Sequence, residues 1–133
     1  MSEENIELIN RAADAFNRHD LDAFVALFDP DVEFSSRIVE LERGRPYRGH
    51  DGIRSWWKDV FGVFPDLSAE TEEIRDLGDM TITQTKLRGQ GIGSAAPTEQ
   101  RQWIVSVWRH KKAISWRAFG SKAEALEAAG LKE

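Results

Sequence analysis

The chain has 133 residues, 41% hydrophobic and 31% charged, with a formal net charge of −5, a balance that suits one globular domain over residues 1–133 rather than a disordered segment. The acidic balance argues against a phosphate-backbone partner, since the basic runs at Arg37 to Arg48 and Arg109 to Lys112 are short and the first is mixed with Glu40 and Glu42. The absence of cysteine removes disulfides, thiolate catalysis and Cys-based metal sites, and with no secretion-signal pattern and no apolar run near the ~20 residues of a membrane helix, a cytoplasmic location is expected.

Residues Glu3 to Arg18 predict a helix. Ile6, Ile9, Ala13 and Phe16 recur at helical spacing, Leu8, Ala12 and Ala15 widen the stripe, and Glu7, Asn10, Arg11, Asp14 and Arg18 fall opposite. Asp14 is therefore a solvated carboxylate rather than a buried acid. Asp20 can cap a second helix, Leu21 to Phe28, which Pro30 cannot continue. Asp31 to Ile38 then predicts a strand, with Val32, Phe34, Ser36 and Ile38 on one side and Glu33, Ser35 and Arg37 on the other.

A charged loop, Glu40 to Gly49, leads to a third helix over Asp51 to Phe64, ended by Pro65. Its face of Ile53, Trp56, Trp57, Val60, Phe61 and Phe64 is broad enough to pack on a sheet. Strands follow at Leu67 to Asp76, Met80 to Gly89, Glu99 to His110 and Ala113 to Phe119, with Lys111-Lys112 marking the last turn. Ser121 opens a final helix through a capping box with Glu124, and Gly130 ends it.

Helices first and antiparallel strands after them give an α+β fold with helices on one sheet face. Strand Gln102 to Arg109 is apolar on both faces, Ile104 and Trp108 on one, Trp103, Val105 and Val107 on the other. With no further layer apparent, the second face is most simply covered by another copy of the chain, so a homodimer is expected.

Four segments carry a resemblance: His19 to Phe28, Asp29 to Phe34, Tyr47 to Arg54 and Glu124 to Leu131. In this order and spacing the chain resembles the nuclear transport factor 2-like superfamily in its SnoaL-like branch, which includes polyketide cyclases and ketosteroid isomerase-like proteins. The resemblance implies a cone-shaped, cystatin-like α+β barrel. Its strongly bent mixed or antiparallel sheet would wrap around the N-terminal helices and leave a cavity. It does not imply one chemistry. The isomerase-like pattern asks for a tyrosine on helix one, an aspartate late in the first strand and a protonated aspartate on a later strand. Aligned on Asp20-Leu21-Asp22, these positions hold Ala12, Ser36 and Ser106. All three roles are vacant, and a serine hydroxyl does not ionise near neutral pH without an adjacent base. The cyclase-like pattern loses its strand acid at Ser106 too. No carboxylate–arginine–carboxylate cluster of the epoxide-hydrolase kind can be placed on one strand face.

The pocket candidates are Phe16, Phe34, Ser36, Tyr47, Trp56, Ser106, Trp108 and Trp116. Tyr47 either reaches over a cavity mouth or staples the start of helix three. The tryptophans are core residues or, most plausibly for Trp108 and Trp116, walls suited to a planar or polycyclic ligand. Gln84, Lys86 and Arg88 share one strand face, a ligand-orienting stripe if inward and a solvated surface if outward; Arg117 beside Phe119 has the same ambiguity. His19, His50 and His110 lack a second ligand at metal-binding spacing, so no metal and no cofactor is expected. Two functions remain level: a cofactor-free lyase, isomerase or cyclase acting on an apolar oxygenated metabolite, and a binding module with Ser36 and Ser106 as donors. Protein association through the outer sheet or cavity mouth ranks below both.

Overall fold

The computed structural model describes residues 2–35, 47–89 and 98–131. Helix α1 (Ser2–Asn17) and the short α2 (Leu21–Val25) precede strand β1 (Phe28–Ser35), and the two-residue β2 (Tyr47–Arg48) runs straight into α3 (Gly49–Val63). Then come β3 (Ser68–Asp76), β4 (Met80–Gly89), β5 (Thr98–Arg109), β6 (Lys112–Phe119) and α4 (Lys122–Ala128). The six strands form one mixed sheet in the order β2-β1-β6-β5-β4-β3. β1 and β6 are parallel, and the other neighbouring pairs are antiparallel. This is the α+β architecture expected.

The boundaries differ where one residue serves two elements. Asp20 caps α2, its carboxylate accepting from the Ala23 N–H at 3.1 Å, but the helix stops at Val25 and Phe28 already belongs to β1. Pro30 lies within that strand, not beyond a helix. It sits between Phe28 and Glu33, where pairing with β6 loses register, so its missing N–H interrupts no regular ladder. Gly49 opens α3 with φ +71, and a Cβ there would stand 2.9 Å from the Pro30 carbonyl oxygen; only glycine meets both conditions. The β5–β6 turn falls one residue earlier than the sequence predicts. His110 and Lys111, with φ 52 and 64, take both central positions between the paired Arg109 and Lys112, a geometry whose twist suits antiparallel strands.

Helix α1 is fastened to strand β3 near both its ends. The Asn17 amide donates to the Ala69 carbonyl and accepts from the Ala69 N–H, each at 2.8 Å. At the other end, Asn5 donates to the Gly78 carbonyl and to Asp76 Oδ1.

The sheet has two packed faces. Toward α1, α2 and α3 lies the larger core, with Phe16, Phe24, Phe28, Phe34, Trp56 and Trp116 among its rings. On the opposite face Ile82 and Val105 pack with Ala125 and Leu126 of α4. The premise behind the expected homodimer is thereby corrected: the second apolar face of β5 is covered from within the chain. Helix α4 is closed at both its ends, with Ser121 Oγ accepting from Glu124 N–H at 3.2 Å. After it, Gly130 (φ 80) lets the Leu131 and Gly130 N–H groups reach the carbonyls of Leu126 and Glu127. Among the described residues no helix is long and apolar enough to cross a membrane.

Candidate functional site

A hollow lies between α1, α3 and the inner face of the sheet, with about 610 Å³ of atom-free space counted out to its mouth. About 60 Å³ of this is open to the centre of a water molecule, against the ~10–15 Å³ that one water requires. It is a narrow slot. Its helical wall is Ile9, Ala12, Ala13 and Phe16 from α1, Phe24 from α2 and Trp56 from α3. Phe34 and Ser35 of β1 and Trp116 and Ala118 of β6 form one side of the sheet wall. Ala69, Thr71, Thr83, Thr85, Leu87, Gln102 and Ile104 complete it from β3, β4 and β5.

The rings are locked by one another. Phe34 meets Trp56 with centroids 4.7 Å apart, and its plane lies within 4° of Trp116 at 6.3 Å. Phe16 touches Trp56 from the helical side at 6.0 Å. Against this apolar shell stand polar atoms that lack a partner within the protein. Trp56 Nε1, Thr83 Oγ1 and Gln102 Oε1 are buried and make no hydrogen bond, although their residues are only 5%, 2% and 8% exposed. Buried polar groups are normally paired, because an unmade bond costs the desolvation of the group. Three residues lining one small hollow each carry such an atom, and that is a feature of the site.

Of the eight sequence candidates, the structure brings four together: Phe16, Phe34, Trp56 and Trp116. Ser36 lies outside the described residues. Ser106 is fully buried and its Oγ is unpartnered, but it does not line the hollow. Trp108 sits behind the wall, its Nε1 donating to Thr81 Oγ1 at 3.0 Å and its ring edge-on to Trp116 at 6.3 Å. Tyr47 is buried against Gly52 at the start of α3, where its hydroxyl meets Asp59 at 3.3 Å; it does not line the hollow either. Ser35, placed by alternation on the side away from Phe34, also borders the slot. Sequence reasoning passed over Thr71, Thr83, Thr85 and Gln102. The signal was there in β4: if Gln84, Lys86 and Arg88 face out, period two turns Thr81, Thr83 and Thr85 inward.

Those outward residues form an ion-pair lattice. Arg101 grips Glu72 through Nε at 2.8 Å and Nη2 at 3.2 Å, and Gln84 donates to the same carboxylate at 3.0 Å. Lys86 stands 3.7 Å from Glu70 and 3.8 Å from Glu72, while Arg88 pairs with Glu99 at 3.0 Å. The hydrogen bonds from Arg101 and then Gln84 hold the Glu72 carboxyl below its ordinary value. Glu72 reaches these partners from a bulge, the extra residue between Thr71 and Glu73 in the pairing of β3 with β4. Arg117 faces out as well, its guanidinium 5.6 Å from the Phe119 ring centre.

Chemically the slot can enclose, orient and hydrogen-bond. None of its described lining residues is titratable, so none of them is a general acid or base. The histidines sit elsewhere: His50 Nε2 contacts the Phe28 carbonyl at 2.7 Å and the His19 ring packs on Phe61. Among the described residues no three His, Asp or Glu side chains come together as a metal site.

Residues 9–113 match the SnoaL-like domain family. Three solved structures share the fold. An NTF2-like protein of unknown function from Burkholderia pseudomallei superposes with a TM-score of 0.80 at 17% identity, covering 93% of this chain and 95% of its own. TerC, co-crystallised with polyporic acid, gives 0.79 at 19% identity with 93% and 96% covered. IdmH, a proposed polyketide cyclase from Streptomyces antibioticus, gives 0.75 at 21% identity with 94% and 97% covered. No curated protein matches the sequence.

Proposed function

The chain belongs to the SnoaL-like domain family, and from that premise we propose that it binds a small, flat, apolar but oxygenated metabolite in the slot between α1, α3 and the sheet. The observation that carries this is the meeting, in one hollow, of five aromatic residues with three residues whose buried polar atoms have no partner in the protein. Ring walls supply affinity by burying apolar surface, and the few polar atoms fix orientation. A neighbour of the same fold, TerC, was crystallised with polyporic acid, and IdmH is a proposed polyketide cyclase; both are in keeping with this ligand class.

Any isomerase, cyclase or lyase chemistry here works by folding and orienting the bound molecule, without a cofactor and without a proton-transferring side chain from the described wall. Holding reacting groups in a near-attack arrangement is itself a large source of rate. The alternative is a binding module with no turnover, and the want of a titratable residue among the described lining favours it. The whole chain, residues 1–133, acts as one unit in the cytoplasm. A homodimer remains part of the proposal, with its former ground now occupied by α4.

Thermal melting with a panel of flat aromatic ketones, quinones and phenols tests the reading. A ligand at about 100 times its Kd stabilises by about 2.7 kcal/mol, a clear rise in Tm for a chain of this size. A panel in which no compound moves the melting temperature counts against it. Product formation from a bound ketone, above the rate in buffer, separates the enzyme from the carrier.

A further inference from the structure

Resting on that reading, we infer that the slot selects an uncharged ligand with two separate oxygen functions, a hydrogen-bond acceptor held by Trp56 and a hydroxyl held by Thr83 and Gln102. The pairing of the strands sets the geometry. Thr71 is opposite Thr85 on β3 and β4, and Thr85 is opposite Gln102 on β4 and β5. These three side chains make a polar row across three adjacent strands, and Thr83 lies two residues along β4 on the same face. Trp56 comes from α3, which packs over β1 and β2 rather than over β4 and β5. The unpartnered atoms therefore divide into two groups on different walls.

Their chemistry also differs. An indole N–H only donates, so the group beside Trp56 is an acceptor such as a ketone oxygen. A threonine hydroxyl donates and accepts, and the Gln102 amide offers an oxygen acceptor beside it, so the matching ligand group is a hydroxyl that does both. The lining carries no charge to balance an ionised ligand among its described residues, and an unpaired charge in an apolar slot is strongly penalised. The two oxygens are joined by a flat apolar body lying against Phe16, Phe34 and Trp116, which line the slot.

A ligand-free site of this kind is held at a cost. Removing an unpartnered hydroxyl or amide without changing shape should stabilise the empty protein, whereas removing a structural hydrogen bond would destabilise it. Thr83→Val and Gln102→Met make that change on the sheet; Trp56→Phe removes the donor on the helix but also leaves a cavity among the rings packed on it. The two sheet variants are expected to melt at or above the temperature of the parent without ligand.

The decisive test is calorimetric titration with four bicyclic probes in mildly acidic buffer: tetralin, tetralone, tetrahydronaphthol, and a hydroxytetralone with its oxygens at opposite ends. The hydroxytetralone should bind tightest, with each oxygen removed weakening binding about fivefold, the size of one neutral hydrogen bond. Thr83→Val and Gln102→Met should abolish the advantage given by the hydroxyl and keep that given by the ketone; Trp56→Phe should do the reverse. If tetralin binds as well as the hydroxytetralone, or the two sheet variants melt well below the parent, the inference falls while the slot remains a ligand site. If none of the four binds, the proposed function falls with it.

Discussion

The two faces of β4 and β5 differ in how most of their polar groups are partnered. Outside, Glu72, Gln84, Lys86, Arg88, Glu99 and Arg101 are tied to one another, and Trp103 Nε1 is the one buried polar side-chain atom of these two strands left without a partner there among the described residues. Inside, where an unmade bond is costly, Thr83, Gln102 and Ser106 have atoms with no partner. Stability alone would put the network where it matters and leave the surface loose. The gathering of three such atoms on the inner face marks it as one shaped for something other than the empty fold, while α4 on the outer face buries Ile82 and Val105 in a core of its own.

Substitutions at neighbouring positions can break this contrast. The largest effect is expected from Val105→Asp, which puts a carboxylate into a fully buried site beneath α4; a loss of about 4 kcal/mol or more, in the range of unpaired buried charges, should appear in urea denaturation. Next, Leu126→Ala strips the contact by which α4 covers the sheet and should cost about 3 kcal/mol. A cost near zero would mean that α4 is not a true layer. One residue along from Val105, Ser106→Ala removes an unpartnered hydroxyl, and its effect should be a gain of up to about 1 kcal/mol. A clear loss of stability there would show that the hydroxyl is paired in solution.

Glu72→Gln should give the smallest change, because the lattice is screened by solvent, yet its pH dependence has a definite sign. Folding lowers the Glu72 pKa from its ordinary 4.5. Its contribution is therefore complete above the unfolded value and is lost as pH falls through the folded one. The variant should be slightly less stable than the parent near neutrality, and the difference should close in acid. A gap that persists at the acid end would remove the carboxylate as its cause.

Much of the frame was legible because periodicity states burial directly. The stripes of α1 and α3, the Ser121 capping box and the strands from Met80 to Phe119 follow from spacing alone. Pro30 misled because proline forbids a helix interior but tolerates an irregular strand, and only the lost register beside β6 tells which applies. Helix α4 was visible, yet its seven residues do not say which surface they cover, so the apolar outer face of β5 looked partnerless. At the site, rings identified themselves by size. The inward threonines did not, because Thr is at home on either side of a strand, and the choice between Thr83 and Gln84 depends on which face the helices take. Tyr47 and Trp108 carry polar tips that suggest a site, but both are occupied within the core.

The two bonds between Asn17 and Ala69 do more than hold a helix. Strand β3 is the rim of the sheet, where free N–H and C=O groups invite another chain to add itself. By engaging both backbone groups of Ala69, the asparagine amide imitates the neighbour that β3 lacks among the described strands. An intruding strand would have to evict it before zipping on, so this side chain also guards the protein against runaway self-assembly.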